Sequence, residues 1–310
     1  MRRIQNKVAE SRRTLPVAIL YSVAIWLLAG LMQQEWWIQF ALFLFSTYLM
    51  AHMNNINVLI RIYSRMVSVS FIVLSSSAVF LFPSIQGAFV QTCFIASLLT
   101  LYNCYQDKES PGWTFYTFFC LSLGSLADIH ILYFVPVFWL MMIIIVYSLS
   151  WRTILASLIG LLTPYWFWVP WIFWRQHGNM NALTGHFLPL TVFEVPIPFT
   201  FQQTLLLVLV SVLGITGAIH FVRNSSRDKI RTRQLYYSFF IIGPSAFTFL
   251  MLQPQHYDML IRIMIIAVSP LIGHFLALTK TKLTNIVFYV ITAAVLVLTA
   301  FNLWISSSTF

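Results

Sequence analysis

Asp128 and His130 are the residues of this chain whose types and spacing most suggest chemistry. They lie in the segment SLADIHILYF, between two apolar stretches with almost no loop between them. A carboxylate beside an imidazole can act as a general acid or base, and an ionisable group at such a depth is costly to keep. We therefore predict Asp128 as a catalytic acid or base with His130 as its partner. The alternative is that Asp128 only caps the helix that follows.

Further polar residues are expected on the same side of the molecule. Glu194 and Glu35 are additional candidates for the acid or base, and Arg175 and Arg262 could hold a phosphate. Asp258 precedes Arg262 by one helical turn, and a local ion pair between the two is as good an interpretation as phosphate binding.

A tryptophan-rich segment, GLLTPYWFWVPWIFWR, contains two prolines that should kink it. Its Trp171 and Trp174 could form an aromatic wall that stacks on a sugar ring or an isoprenoid tail. The alternative is that they anchor the helix at the membrane interface, where tryptophan is enriched without any ligand.

The elements that position these residues are predicted from composition. Of the 310 residues, 59 % are hydrophobic and only 8 % are charged, whereas soluble domains carry roughly a quarter of charged residues. This excludes a soluble enzyme, a disordered chain and a disulfide-stapled secreted domain. A spanning helix needs about 20 apolar residues, so we predict an all-α polytopic transmembrane bundle that forms a single integral-membrane domain, 1–310. It has eleven spans, or ten if the last lies flat: 15–32, 36–51, 66–82, 85–104, 113–127, 129–149, 153–174, 203–222, 235–252, 260–278 and 286–304.

The charges predict the orientation of these spans. With a cytoplasmic N-terminus, sixteen of the eighteen Lys and Arg residues fall on the inner side, mainly in the basic N-terminus 1–13 and the loop 223–234. The net charge of +10 is therefore a topology signal and does not indicate a nucleic-acid partner. The outer side receives the long loop 175–202, which contains several prolines, together with half of the acids and most of the histidines.

The sequence predicts neither a metal nor a cofactor. It contains no phosphate-binding loop, no His-Glu-x-x-His motif and no Gly-rich dinucleotide turn. Cys93, Cys104 and Cys120 are expected within or beside apolar spans, where they suggest neither disulfides nor zinc. His220 and His274 lie too far apart in sequence to argue for a metal pair.

The central part of the chain resembles an uncharacterised family of polytopic inner-membrane proteins of gram-negative bacteria. The resemblance covers about 54–168 and is carried by the Phe82-Pro83 turn, the charged loop 107–109 and the segment WR…GLLTPY at 151–165. It implies a location in the bacterial inner membrane. It points to no activity or catalytic residues, because the family has no assigned activity. A looser similarity is to membrane glycosyltransferases that use polyprenyl-phosphate sugars. Their catalytic acid lies in a long first outer loop, whereas Glu35 lies in a turn of a few residues.

These observations together predict a protein that handles a lipid-linked or glycolipid substrate at the outer, periplasmic face of the inner membrane. Its partners would be membrane lipids, a lipid-linked glycan and other membrane subunits. Two alternatives remain open at this point: a non-catalytic subunit of an envelope assembly, and a lipid or glycolipid transporter.

Overall fold

The computed structural model describes residues 3–175, 181–190 and 198–308. Within these ranges the chain is mostly helical and contains no strand. Its thirteen α-helices, numbered in chain order, are α1 (Ile4–Glu10), α2 (Thr14–Leu28), α3 (Trp37–Asn57), α4 (Met66–Ser77), α5 (Ile85–Asn103), α6 (Pro111–Ser125), α7 (Val135–Met141), α8 (Trp151–Arg175), α9 (Asn181–Phe187), α10 (Phe201–Asn224), α11 (Ile230–Leu252), α12 (Tyr257–Leu278) and α13 (Lys282–Ser308).

The prediction of an all-α fold is confirmed for the described residues, and the helices are compatible with a multi-pass membrane protein. Seven helical segments of the described chain are long and apolar enough to cross a membrane, and α2 and α4 are shorter apolar helices. The seven are Ile85–Asn103, Ile129–Val146, Trp151–Arg175, Phe201–Arg227, Ile230–Leu252, Pro254–Leu278 and Lys282–Ser306. The total of eleven spans and the side of the N-terminus stay predictions.

Helical residues occupy parts of two predicted loops. Helices α10 and α11 extend into the basic loop 223–234 from both ends, because Arg, Lys and Gln are good helix formers once the chain has left the apolar region. The outer loop 175–202 contains α9 and a 3-10 turn at Leu188–Leu190 in its described part. The described part of this loop therefore holds only short helical pieces, as its prolines predict.

Helix α12 is the core of the bundle. All of its residues except Asp258 and Leu278 are buried, and it packs against α4, α5, α10 and α11. A helix that is apolar all round is expected to be enclosed by others. Helices α8 and α13 lie at the periphery and expose most of their apolar surface. Arg262 and His274, the polar residues near the two ends of α12, are consequently enclosed by the surrounding helices.

Candidate functional site

Polar clusters lie at both ends of the central helix. Asp258 and His274 are sixteen residues apart on α12, which is about 24 Å at 1.5 Å per residue. This distance approaches the roughly 30 Å thickness of a membrane's hydrocarbon core. We call the end that contains Asp258 and Asp128 the Asp128 end, and the opposite end, which contains His274 and Asp228, the Asp228 end.

Asp128 and His130 form a pair at the Asp128 end. Asp128 precedes the 3-10 helix Ile129–Phe134, and its Oδ1 accepts a hydrogen bond of 3.0 Å from the backbone N–H of His130. The same oxygen lies 2.9 Å from the ring Nδ1 of His130. Asp128 therefore caps the helix and pairs with His130 at once, so both interpretations drawn from the sequence describe its geometry.

The surroundings of Asp128 favour its ionised form. Burial alone would raise the pKa of this carboxyl group, but the hydrogen bonds from the side chain and backbone of His130 and the charge of His256 outweigh it. The pKa consequently lies below its ordinary value. At neutral pH the group is an anion that can accept a proton or bind a cation, and it does not supply a proton as an acid.

His256 is the third member of the cluster. It ends the 3-10 turn Pro254–His256 that leads into α12, and its ring lies over that of His130 with 3.6 Å between centroids. One ligand atom from each of Asp128, His130 and His256 lies within 4.8 Å of the other two. The sequence placed His256 on the same side as the pair, but no local signal linked residues 126 positions apart.

A cavity of about 230 Å³ adjoins the two histidines. Apart from His130, His256 and Gln253 its lining is aromatic and aliphatic: Tyr133, Phe249, Leu252, Met259 and Leu260. The arrangement is that of a small-molecule site, in which a mostly apolar wall carries a few polar groups that orient a ligand.

The segment 186–190 covers the cluster. The carbonyl oxygen of Pro189 lies 3.4 Å from Nε2 of His130, and the hydroxyl of Tyr133 donates a 3.1 Å hydrogen bond to the carbonyl of Leu190. His186 packs against Trp168 with 4.8 Å between ring centroids, and burial lowers the pKa of His186. These contacts hold part of the predicted outer loop directly over Asp128 and His130.

Asp258 and Arg262 form an ion pair beside this site. Nε of Arg262 donates to Oδ1 of Asp258 at 2.8 Å, and its Nη atoms donate to Oε1 of Gln91 and to the carbonyl of Leu81. The hydroxyl of Ser84 donates to the other oxygen of Asp258. The pairing interpretation thus matches the structure, and the adjoining cavity of about 20 Å³ has room for a water molecule.

Glu35, Arg175, Trp171 and Trp174 do not belong to this cluster. Glu35 is exposed in the turn before α3, and its carboxylate makes no ion pair with any described residue. The guanidinium of Arg175 lies 5.3 Å from the ring centroid of Trp171, and both Trp171 and Trp174 are exposed on α8. Glu194 lies outside the described residues.

A second buried cluster lies at the Asp228 end. Nε2 of His274 is 3.0 Å from Oδ2 of Asp228, and the Nδ1 atoms of His274 and His220 are 3.4 Å apart. Nη1 of Arg61 lies 3.5 Å from the other oxygen of Asp228. These four residues come from three separate regions of the sequence. Only the packing of α10 against α12 brings the two histidines together.

Comparison with known proteins does not assign this chain to a family. No family model matches the chain, and neither a curated protein nor a solved structure matches it. The functional conclusion therefore depends on the residues of the Asp128 end.

Proposed function

We propose that this membrane protein binds a lipid-linked or glycolipid substrate at the Asp128 end, with Asp128 and His130 acting on its head group. The observation that carries this proposal is the carboxylate–imidazole pair beside a cavity of about 230 Å³ that is otherwise apolar. An amphiphile has both of the parts that such a site can bind. Its apolar portion would contact the cavity wall, and the oxygen atoms of its head group would contact Asp128 and His130.

The orientation belongs to the same proposal. Arg61 pairs with Asp228, Arg3 donates to the carbonyl of Lys280, and Arg231 donates to Asn57, so many of the basic residues meet at the Asp228 end. Lys and Arg are concentrated on cytoplasmic surfaces. The Asp128 end accordingly faces the periplasm of a bacterial inner membrane.

The chemistry proposed for the pair is base catalysis. The ionised Asp128 holds the ring of His130, and the imidazole accepts a proton from a hydroxyl group or water that enters the cavity. Arg175, Trp171 and Trp174 are proposed to meet the substrate at the exposed rim of α8. Glu35 and Glu194 remain candidates for a second acid or base.

Filling the cavity tests whether it binds an amphiphile. Leu252→Trp adds bulk to the cavity wall, and we expect it to weaken the binding of a polyprenyl phosphate by about 10-fold or more through lost apolar contact. The measurement is native mass spectrometry of the purified protein in detergent micelles. The matched control is Leu162→Trp, because Leu162 is equally exposed on α8 but lines none of the cavities described above. Equal binding by both variants would contradict the proposal and favour a non-catalytic subunit.

Replacing the carboxylate tests the proposed chemistry separately. Asp128→Asn keeps the shape and the helix cap but removes the charge that orients His130, so we expect conversion of a polyprenyl-phosphate sugar to fall by about 100-fold or more. Conversion is followed by chromatography of the lipid products. Glu109→Gln is the control, since it removes an exposed carboxylate at the opposite end. Unchanged turnover in Asp128→Asn would exclude the pair as the catalytic group.

A further inference from the structure

We propose that Asp128, His130 and His256 bind one divalent transition-metal ion of the zinc type, with a coordination position open to the adjoining cavity. The structure brings His256 to the Asp128–His130 pair, from which it is 126 residues distant in sequence, with one ligand atom of each of the three within 4.8 Å of the others. This inference departs from the sequence prediction of a metal-free protein.

The distances are close to those of a coordinated ion. Zinc bonds of about 2.0–2.1 Å in a tetrahedron place neighbouring ligand atoms about 3.3 Å apart. Oδ1 of Asp128 and Nδ1 of His130 are 2.9 Å apart, so a few tenths of an ångström of opening admits the ion between them. His256 lies on a short turn, and one of its ring nitrogens is already within 4.8 Å of the other two ligand atoms, so a small shift of the ring completes the set.

The donor types select the class of metal. Calcium and magnesium prefer sites made of oxygen atoms, whereas two imidazoles with one carboxylate suit zinc and its neighbours among the transition metals. Three protein ligands with a vacant fourth position are the pattern of catalytic zinc sites, in contrast to the closed four-ligand pattern of structural ones.

Neighbouring groups are placed to support such an ion. The carbonyl oxygen of Pro189, 3.4 Å from Nε2 of His130, can accept the proton on the nitrogen that does not face Asp128, and contacts of this kind orient metal-binding histidines. His130 and His256 also line the cavity of about 230 Å³, so the open position points to space that a ligand can enter. With the ion bound, Asp128 and His130 would act as its ligands and no longer as a base pair, and the ion would attract a phosphate or sugar oxygen of the substrate. This last use rests on the proposed function, whereas binding of the ion does not.

A cobalt titration tests the site on the intact chain. We expect the purified full-length protein in nanodiscs, stripped with a chelator, to bind one Co²⁺ per chain with the visible absorption of a tetrahedral complex, and Zn²⁺ to displace it. X-ray absorption of the zinc-loaded wild-type protein should show scattering from two imidazoles. Substoichiometric cobalt binding, or a zinc spectrum without imidazole, would overturn the proposal whether or not any variant folds.

Variants then assign the ligands. His256→Gln and Asp128→Asn should each weaken the metal affinity by more than the roughly 10–100-fold that loss of an outer-shell partner costs. His186→Gln is the matched control, because His186 belongs to the covering segment but not to the ligand set. An equal loss in His186→Gln would contradict the assignment. The titration contains no amphiphile, so its failure leaves the cavity test with Leu252→Trp unaffected.

Discussion

At the scale of single residues, two carboxylates of the described chain join α12 to segments that are distant in sequence. The side chain of Asp228 is 1 % exposed and lies between His274 and Arg61. Asp258 is partly exposed, pairs with Arg262 one turn along the same helix, and accepts a hydrogen bond from the distant Ser84. Removing one partner of a buried pair is costly because the other charge stays desolvated and unpaired. These contacts link α12 to the segments that precede α5 and α11.

The Asp228 cluster provides a stability test at this scale. We expect Asp228→Ala to lower the free energy of unfolding by about 3 kcal/mol or more, because Arg61 and His274 lose their common partner. Unfolding by sodium dodecyl sulfate in mixed micelles measures the change. The control is Glu109→Ala, which breaks a pair with Arg152 whose two side chains are 81 % and 74 % exposed. That loss should stay below about 1 kcal/mol, and a comparable effect in both variants would contradict the assignment of Asp228 as the buried anchor.

At the scale of elements, small residues let neighbouring helices approach α12 closely. A Cβ atom at Gly217 of α10 would lie 2.7 Å from the backbone of Leu271, and one at Gly273 of α12 would lie 2.9 Å from the backbone of Val67 in α4. Close approach through glycine is common where helices pack inside membranes, because the lipid itself provides little hydrophobic drive for association. The positions of His220 and His274 depend on this contact between α10 and α12.

Gly217→Ala tests the contact between these two helices. The added methyl group meets backbone atoms that cannot rotate away, so we expect a loss of about 1–3 kcal/mol in the free energy of unfolding. Gly112→Ala is the matched control, since no atom lies within 4 Å of a Cβ there, and it should leave stability unchanged or raise it by up to about 1 kcal/mol. Both are measured by the same micellar unfolding. Full stability in Gly217→Ala would show that α10 and α12 are packed less closely than described.

At the scale of the whole molecule, α12 joins two polar ends through an apolar middle. Between Arg262 and His274 its buried side chains are aliphatic or small, and the two larger cavities beside it, each about 280 Å³, have almost entirely apolar walls. Among the described residues this favours a site at one membrane surface over a continuous polar path for a solute. The proposed orientation decides which surface that is.

Cysteine labelling tests the orientation. In a chain whose Cys93, Cys104 and Cys120 are replaced by alanine, we expect Glu35→Cys to react with a membrane-impermeant maleimide from the periplasm. Glu109→Cys, equally exposed but at the opposite end, should react only after the inner membrane is opened. This result follows from the concentration of basic residues at the Asp228 end. The reverse pattern would place the Asp128 end in the cytoplasm.

Composition and local spacing determined the class of fold and part of the candidate site. The scarcity of charge and the apolar stretches predicted a helical membrane protein, because lipid allows only internally hydrogen-bonded backbone. The pairs Asp128–His130 and Asp258–Arg262 were also predictable, since their members lie within one turn of each other along the chain.

Tertiary structure alone decided which distant residues meet. His256 reaches His130, and His274 reaches His220 and Asp228, only because helix packing brings together segments that are far apart in sequence. Local periodicity shows which face of a helix is apolar but not which helix will cover it. The three-residue cluster at the Asp128 end therefore became visible only in the folded molecule, where His256 from the turn before α12 meets the Asp128–His130 pair at the start of the 3-10 helix Ile129–Phe134.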